Sequence, residues 1–225
     1  MNQFTSFFRK IPVWIEFVAV IGLCFGLPTA SSIYSFHSGK AFENVDLGLE
    51  QGIGILAWEF LVSFIVIIFC VLRGFPFWKH LAWTPTLKST LLGVGLLVAA
   101  NLAYIILFNI VILIVGVPSL HVAKYSMTMP VWLVLAVSLI NPIFEETFVV
   151  GYVFERGGGL GIWPVVLISC VLRVSYHLYQ GWIGVISILP LGIIFGLAYA
   201  KTNRLWPLFL AHAIQDFVAL NFSSN

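Results

Sequence analysis

The sequence predicts an all-α protein, a polytopic transmembrane helical bundle of about seven spans with room for an eighth. Three observations carry this. Of 225 residues, 60% are hydrophobic and 9% charged, whereas a soluble domain carries about 25% charged residues. Mean hydropathy is +1.04. Apolar runs recur along the chain, each near the ~20 residues a helix needs to cross the hydrocarbon core. Spans and short loops take up nearly all of these residues, leaving no stretch for a separate soluble domain. A net charge of +2 is too small to argue for a nucleic-acid partner. Cys24, Cys70 and Cys170 fall in apolar runs without metal-ligand spacing, and read as buried small hydrophobes.

The first span covers residues 13–34. Arg9-Lys10 before it and Thr29-Ala-Ser-Ser after it faintly suggest a signal peptide. The run is longer than the usual ~7–15-residue apolar core and contains Glu16, so an uncleaved span is the better reading. An acidic loop, 35–52, leads to the second span, 54–72, with Glu59 near its start. Arg73, Lys79, His80 and Lys88 then make a basic loop broken by Pro76 and Pro85. The third span, 90–115, holds Asn101 and Asn109. A loop containing Pro118, His121 and Lys124 leads to the fourth, 130–154. A turn at Glu155-Arg-Gly-Gly-Gly159 precedes the fifth, 162–179, and the sixth, 182–200, contains Pro190. In the sixth, Gly192-x-x-x-Gly196 is a small-residue pair suited to close helix packing. A basic turn, 201–204, leads to the seventh, 206–222. This divides the chain into amino-terminal transmembrane helices, 1–129, and a core, 130–225.

Lysine and arginine set the orientation. With the amino terminus in the cytosol, Arg9, Lys10, Arg73, Lys79, Lys88, Arg156, Lys201 and Arg204 are cytosolic. Lys40 and Lys124 are outside, and Arg173 lies in a span. This is a positive-inside pattern, and it suits an integral protein of a bacterial inner membrane.

Few ionisable residues lie deep in the spans: Glu145 and Glu146 in the fourth, Arg173 and His177 in the fifth, His212 and Asp216 in the seventh. Glu16 and Glu59, nearer span ends, are expected to reach headgroups or water. A charge at the bilayer centre costs roughly 2.5–3.5 kcal/mol or more, so such residues mark function by default. Asn141 and Glu145, Arg173 and His177, and His212 and Asp216 are each four apart, so each pair shares a helix face. Glu145 and Glu146 differ by about 100° around the axis, so one faces a cavity and the other a neighbouring partner. Counting rise from Arg156 and Arg204 puts Glu145 about 16 Å and Asp216 about 18 Å deep, so a common site near the midplane is feasible. Three readings remain open on these residues: a structural ion network, an ion or proton path, and hydrolysis by a polarised water.

The ordered segments Glu145-Glu146 with Gly151, Leu172-Arg-Val-Ser-Tyr-His177-Leu-Tyr-Gln-Gly181 and His212-Ala-Ile-Gln-Asp216 resemble the three motifs of the CPBP intramembrane proteases. That group, also called the Abi or CAAX-protease family, includes Ras-converting CAAX endoproteases and bacteriocin-processing or self-immunity proteins. The resemblance covers roughly 130–222. It implies an endopeptidase acting on a membrane-associated protein or peptide. Glu145 and His177 would activate water, Glu146 would support them, and His212 and Asp216 would lie on the oxyanion side. It implies no cofactor, with Zn²⁺ held by Glu145, His177 and His212 as the alternative. Two positions depart from the family pattern. Val150 stands where the first motif usually has Arg, and Arg173 where the second often has Phe. Arg173 is therefore expected to supply the missing cation and pair with Glu146. The runner-up reading is a non-catalytic immunity or scaffold protein, or a small transporter.

Overall fold

A computed structural model describes residues 7–43, 45–75, 83–116 and 125–222. Pro76, Lys79, His80, Pro118, His121 and Lys124 lie outside the described residues. Among the described residues the regular structure is helical apart from two three-residue strands. Its long helices are α1 (Val13–His37), α2 (Leu49–Leu72), α3 (Leu87–Val115), α4 (Val131–Glu145), α5 (Ile162–His177), α6 (Gly181–Thr202) and α7 (Trp206–Phe222). Five stretches are long and apolar enough to cross a membrane, and one of them, Ile162–Thr202, contains both α5 and α6.

Polarity is distributed inside out. Large apolar side chains face outward on every long helix, with Leu113 85% exposed, whereas Glu16, Glu146 and Arg173 are 0% exposed. A bundle that turns its apolar groups outward and its charges inward is matched to lipid rather than to water.

Local chemistry sets the helix ends. Thr86 caps α3: its Oγ1 accepts from Ser89 N at 3.2 Å, and Ser89 Oγ accepts from Thr86 N at 2.8 Å. Gly181, with φ +69°, turns the chain between α5 and α6, and Asn203 ends α6 in the left-handed region at φ 51°. The helices close a ring: α3 packs on α7, α7 on α4, α4 on α2, α2 on α1, α1 on α5, α5 on α6, and α6 on α3. At the α5–α6 seam, a Cβ on Gly192 would lie 3.1 Å from Cys170 Sγ, and one on Gly196 would lie 3.2 Å from Val166. These two glycines let the backbones approach.

The sequence did not predict the strands β1 (Val45–Leu47) and β2 (Tyr125–Met127). They pair in parallel, Val45 opposite Tyr125, and join the α1–α2 loop to the α3–α4 loop. Nor did it predict that α4 widens into a π-helix over Glu146–Tyr152 before a last turn, Val153–Gly157. Pro142, inside α4, has no N–H to donate, and Ser169 Oγ of α5 donates to the Val149 carbonyl at 2.7 Å. Such widened turns recur at functional sites.

The structure corrects the expectation for Glu16 and Glu59: both are buried. Glu16 accepts from Arg73 Nε at 2.7 Å, Arg156 Nε at 2.8 Å and Tyr152 Oη at 3.1 Å. Arg73 also donates to the Phe8 carbonyl. This cluster fastens α1 and α2 to the end of the π segment.

Candidate active site

The site is assembled where the π segment meets α5 and α7. Arg173, four residues before His177 on α5, reaches both glutamates. Its Nη2 donates to Glu146 Oε1 and Oε2 at 2.8 and 2.9 Å, and its Nη1 to Glu145 Oε2 at 3.2 Å. The guanidinium carbon lies 5.9 Å from the Phe195 ring centroid. One guanidinium nitrogen shared by both Glu146 oxygens and a second on Glu145 make charge-assisted bonds that fix geometry as well as charge.

Glu146 is fully enclosed. Besides Arg173 it accepts from His212 Nδ1 at 2.6 Å. His212 Nε2 lies 3.4 Å from Asp216 Oδ1, one turn along α7, and Asn141 Nδ2 donates to Asp216 Oδ2 at 3.2 Å. A continuous polar chain therefore runs Arg173–Glu146–His212–Asp216–Asn141 and crosses α5, α4 and α7.

Glu145 points elsewhere. Its Oε2 also accepts from Tyr176 Oη at 2.6 Å. Stacking on Phe25 holds the Tyr176 ring, with centroids 5.0 Å apart. His177 Nδ1 sits 2.8 Å from the Arg173 carbonyl oxygen. A carbonyl can only accept, so Nδ1 carries the proton and a neutral ring keeps its lone pair on Nε2.

These groups border a cavity of about 780 Å³ lined from all seven helices, with Glu145, His177, Asn141 and Asp216 in its wall. Tyr176, Tyr179 and Gln180 line it too. Glu146, Arg173 and His212 are absent from that wall and stand behind Glu145 and Asp216. Val150, where the family pattern has Arg, is buried in an apolar cluster with Leu191, Phe195 and Leu205.

Sequence reasoning missed three groups. Tyr176 stands in the second motif segment with no role expected of it, yet it bonds Glu145 directly. Asn141 was noted for its spacing from Glu145 but not as a site residue. Glu59 of α2 lines the same cavity, and its Oε2 has no hydrogen-bond partner among the described residues. Only Asn141 was within reach of the sequence, through its helical spacing.

Among the described residues, ligand atoms come together in a group other than the expected Glu145, His177 and His212. Glu145, Glu146 and His212 bring ligand atoms within 4.8 Å of one another, and His177 is not in that group. The set also fits a metal poorly. The Arg173 guanidinium already binds both carboxylates, and His212 Nδ1 is engaged by Glu146. A divalent ion there would face a fixed cation and a histidine whose nearer nitrogen is already in use.

Residues 127–218 match the family model described as Rce1-like, type II CAAX prenyl endopeptidase. The matched segment runs from β2 to α7 and contains every residue of the polar chain. Neither a curated protein nor a solved structure matches the chain.

Proposed function

From the likeness of 127–218 to CAAX-type endopeptidases, we propose that this chain is an intramembrane endopeptidase of the glutamate type. Its substrate is a membrane-associated protein or peptide. The observation that supports this best is the division of labour between the adjacent glutamates. Glu146 is enclosed and tied to Arg173 and His212, whereas Glu145 borders the cavity beside His177.

A water between Glu145 and the Nε2 of His177 loses a proton to this pair and attacks the scissile carbonyl. All the polar contacts described for Glu145 fall on Oε2, so Oε1 is the atom proposed to meet the water. Asn141, in the cavity wall, has a second amide N–H to donate to the tetrahedral oxyanion; Asp216 orients that amide, and His212 holds Asp216 from behind. The proton then passes to the leaving amine as the carbon–nitrogen bond breaks. Arg173 takes the part of the arginine lacking at position 150, holding Glu146 and one oxygen of Glu145. No metal takes part in these steps.

The test is a comparison of new peptide termini in membranes holding the wild-type chain, Glu145→Gln or His177→Ala at equal abundance, with and without a metal chelator. The proposal expects termini that need both residues and survive chelation. Termini unchanged in both variants would overturn it. Altered ion or solute flux without cleavage would favour the transporter reading.

A further inference from the structure

The cavity and the basic residues lie at opposite ends of the bundle. On α2 the cavity is lined by Gly54, Ile55, Trp58 and Glu59, in the half that begins at Leu49, whereas Arg73 follows the other end. On α5 it is lined by Tyr176 and His177, the last residues of the helix. On α6 it is lined by Ile183, Gly184, Ser187 and Leu191, the half remote from Lys201. On α7 the lining residues run from Gln215 to Leu220, more than two turns beyond Arg204 and Trp206. Leu47 of β1 and Met129 after β2 complete that end. Tyr179, 37% exposed, also lines it and marks where the wall meets the surroundings.

The far end gathers most of the described lysines and arginines, with Glu16 and Glu155 among them. Arg9, Arg73, Lys88, Arg156, Lys201 and Arg204 all flank helix termini there. The Glu16 cluster binds Arg73 and Arg156 at that same end. Lys40 is the described lysine or arginine at the cavity end, and Glu43 and Glu50 share that end with it. Short basic loops are retained on the cytosolic face during insertion.

We infer that the cavity opens to the extracytoplasmic face, so the bond to be cut lies in a segment presented from outside. The substrate class is then an exported peptide or the outer half of a membrane protein, rather than the cytosolic tail of a soluble one. The inference deepens the endopeptidase reading and rests on it for the word substrate. The sidedness stands on geometry and charge alone. It also explains why the polar wall lies in one half of the bundle. Water must reach Glu145 and His177 from one face without opening a path through the membrane, and the apolar clusters around Val66, Val149 and Leu205 fill the other half.

Two measurements on the full chain test this in sealed right-side-out and inside-out membrane vesicles. The first labels Gln51→Cys, exposed at the cavity end, and Lys201→Cys, exposed at the basic end, with a membrane-impermeant maleimide. The native cysteines are all buried and serve as background. In right-side-out vesicles the expected result is label at position 51 and loss of label at 201, with the reverse in inside-out vesicles. The opposite pattern overturns the inference. The second adds a pool of acylated, internally quenched peptides to each preparation. Cleavage in right-side-out vesicles, lost in Glu145→Gln, supports the inference. Cleavage confined to inside-out vesicles overturns it. If neither preparation cleaves any peptide, the endopeptidase reading fails and the labelling still decides which face the cavity meets.

Discussion

Replacing Arg173 with methionine should be the most informative single change outside the cavity wall. The guanidinium is fully buried and donates at 2.8, 2.9 and 3.2 Å to two carboxylates. Arg173→Met keeps much of the side-chain volume and leaves Glu146 without its cation. Breaking a buried pair by removing one partner costs about 3–5 kcal/mol, because the remaining charge is left uncompensated. Glu146→Gln removes the opposite charge and keeps an oxygen that can accept from His212. The double variant should therefore lose less than the sum of the singles, by about 1–3 kcal/mol. The assay is reversible unfolding of the four proteins in lipid bicelles, with cleavage rates measured alongside. Val150→Arg on the Arg173→Met background should recover part of both losses, since Val150 packs in the cluster of Phe195, the ring that the Arg173 guanidinium also faces. Additivity within about 0.5 kcal/mol, together with unchanged cleavage, would refute the idea that Arg173 holds the glutamates.

Other expectations follow from particular contacts. Glu59→Met should stabilise the fold by about 1 kcal/mol, because a buried carboxylate oxygen without a partner among the described residues is costly; unfolding in bicelles reads the gain, and a clear loss would mean that Glu59 has a structural partner. Gly192→Leu should cost about 1–3 kcal/mol, since its Cβ would press on the Cys170 sulfur and backbone; the same unfolding assay checks it. Glu16→Leu should cost about 3–5 kcal/mol by stranding Arg73 and Arg156, seen as a lower midpoint and faster proteolysis at the basic end.

The amount of this that could be read from the sequence depended on the range of the forces involved. Helix positions are written locally, in apolar runs, and each of the seven long helices overlaps an expected run, although only five stretches are long and apolar enough to cross a membrane. The four-residue spacings likewise foretold which side chains share a face, Asn141 with Glu145 and His212 with Asp216. The π turn was not legible. It depends on Ser169, from the next helix, taking a carbonyl of α4, and on Gly151 fitting against Leu205. Glu59 was misjudged by counting: α2 begins at Leu49 rather than at 54, so Glu59 is ten residues in, about 15 Å of rise. Glu16 does lie near a helix end, only three residues past Val13. It is buried because arginines from two distant segments converge on it. The strands β1 and β2 are too short to show an alternating pattern, and their pairing joins loops far apart in sequence.

The central claim is that Glu145 acts on water and Glu146 does not. The direct measurement is the single-turnover cleavage rate of a peptide first cut by the wild-type chain in proteoliposomes, compared with Glu145→Gln and with Glu146→Gln at matched folded fraction. General-base assistance contributes roughly 10²–10⁴-fold. Glu145→Gln should therefore fall by that factor with peptide binding retained, while Glu146→Gln, once corrected for its lower stability, should fall much less. Equal rates for Glu145→Gln and the wild-type chain, or a greater loss in Glu146→Gln, would contradict the account.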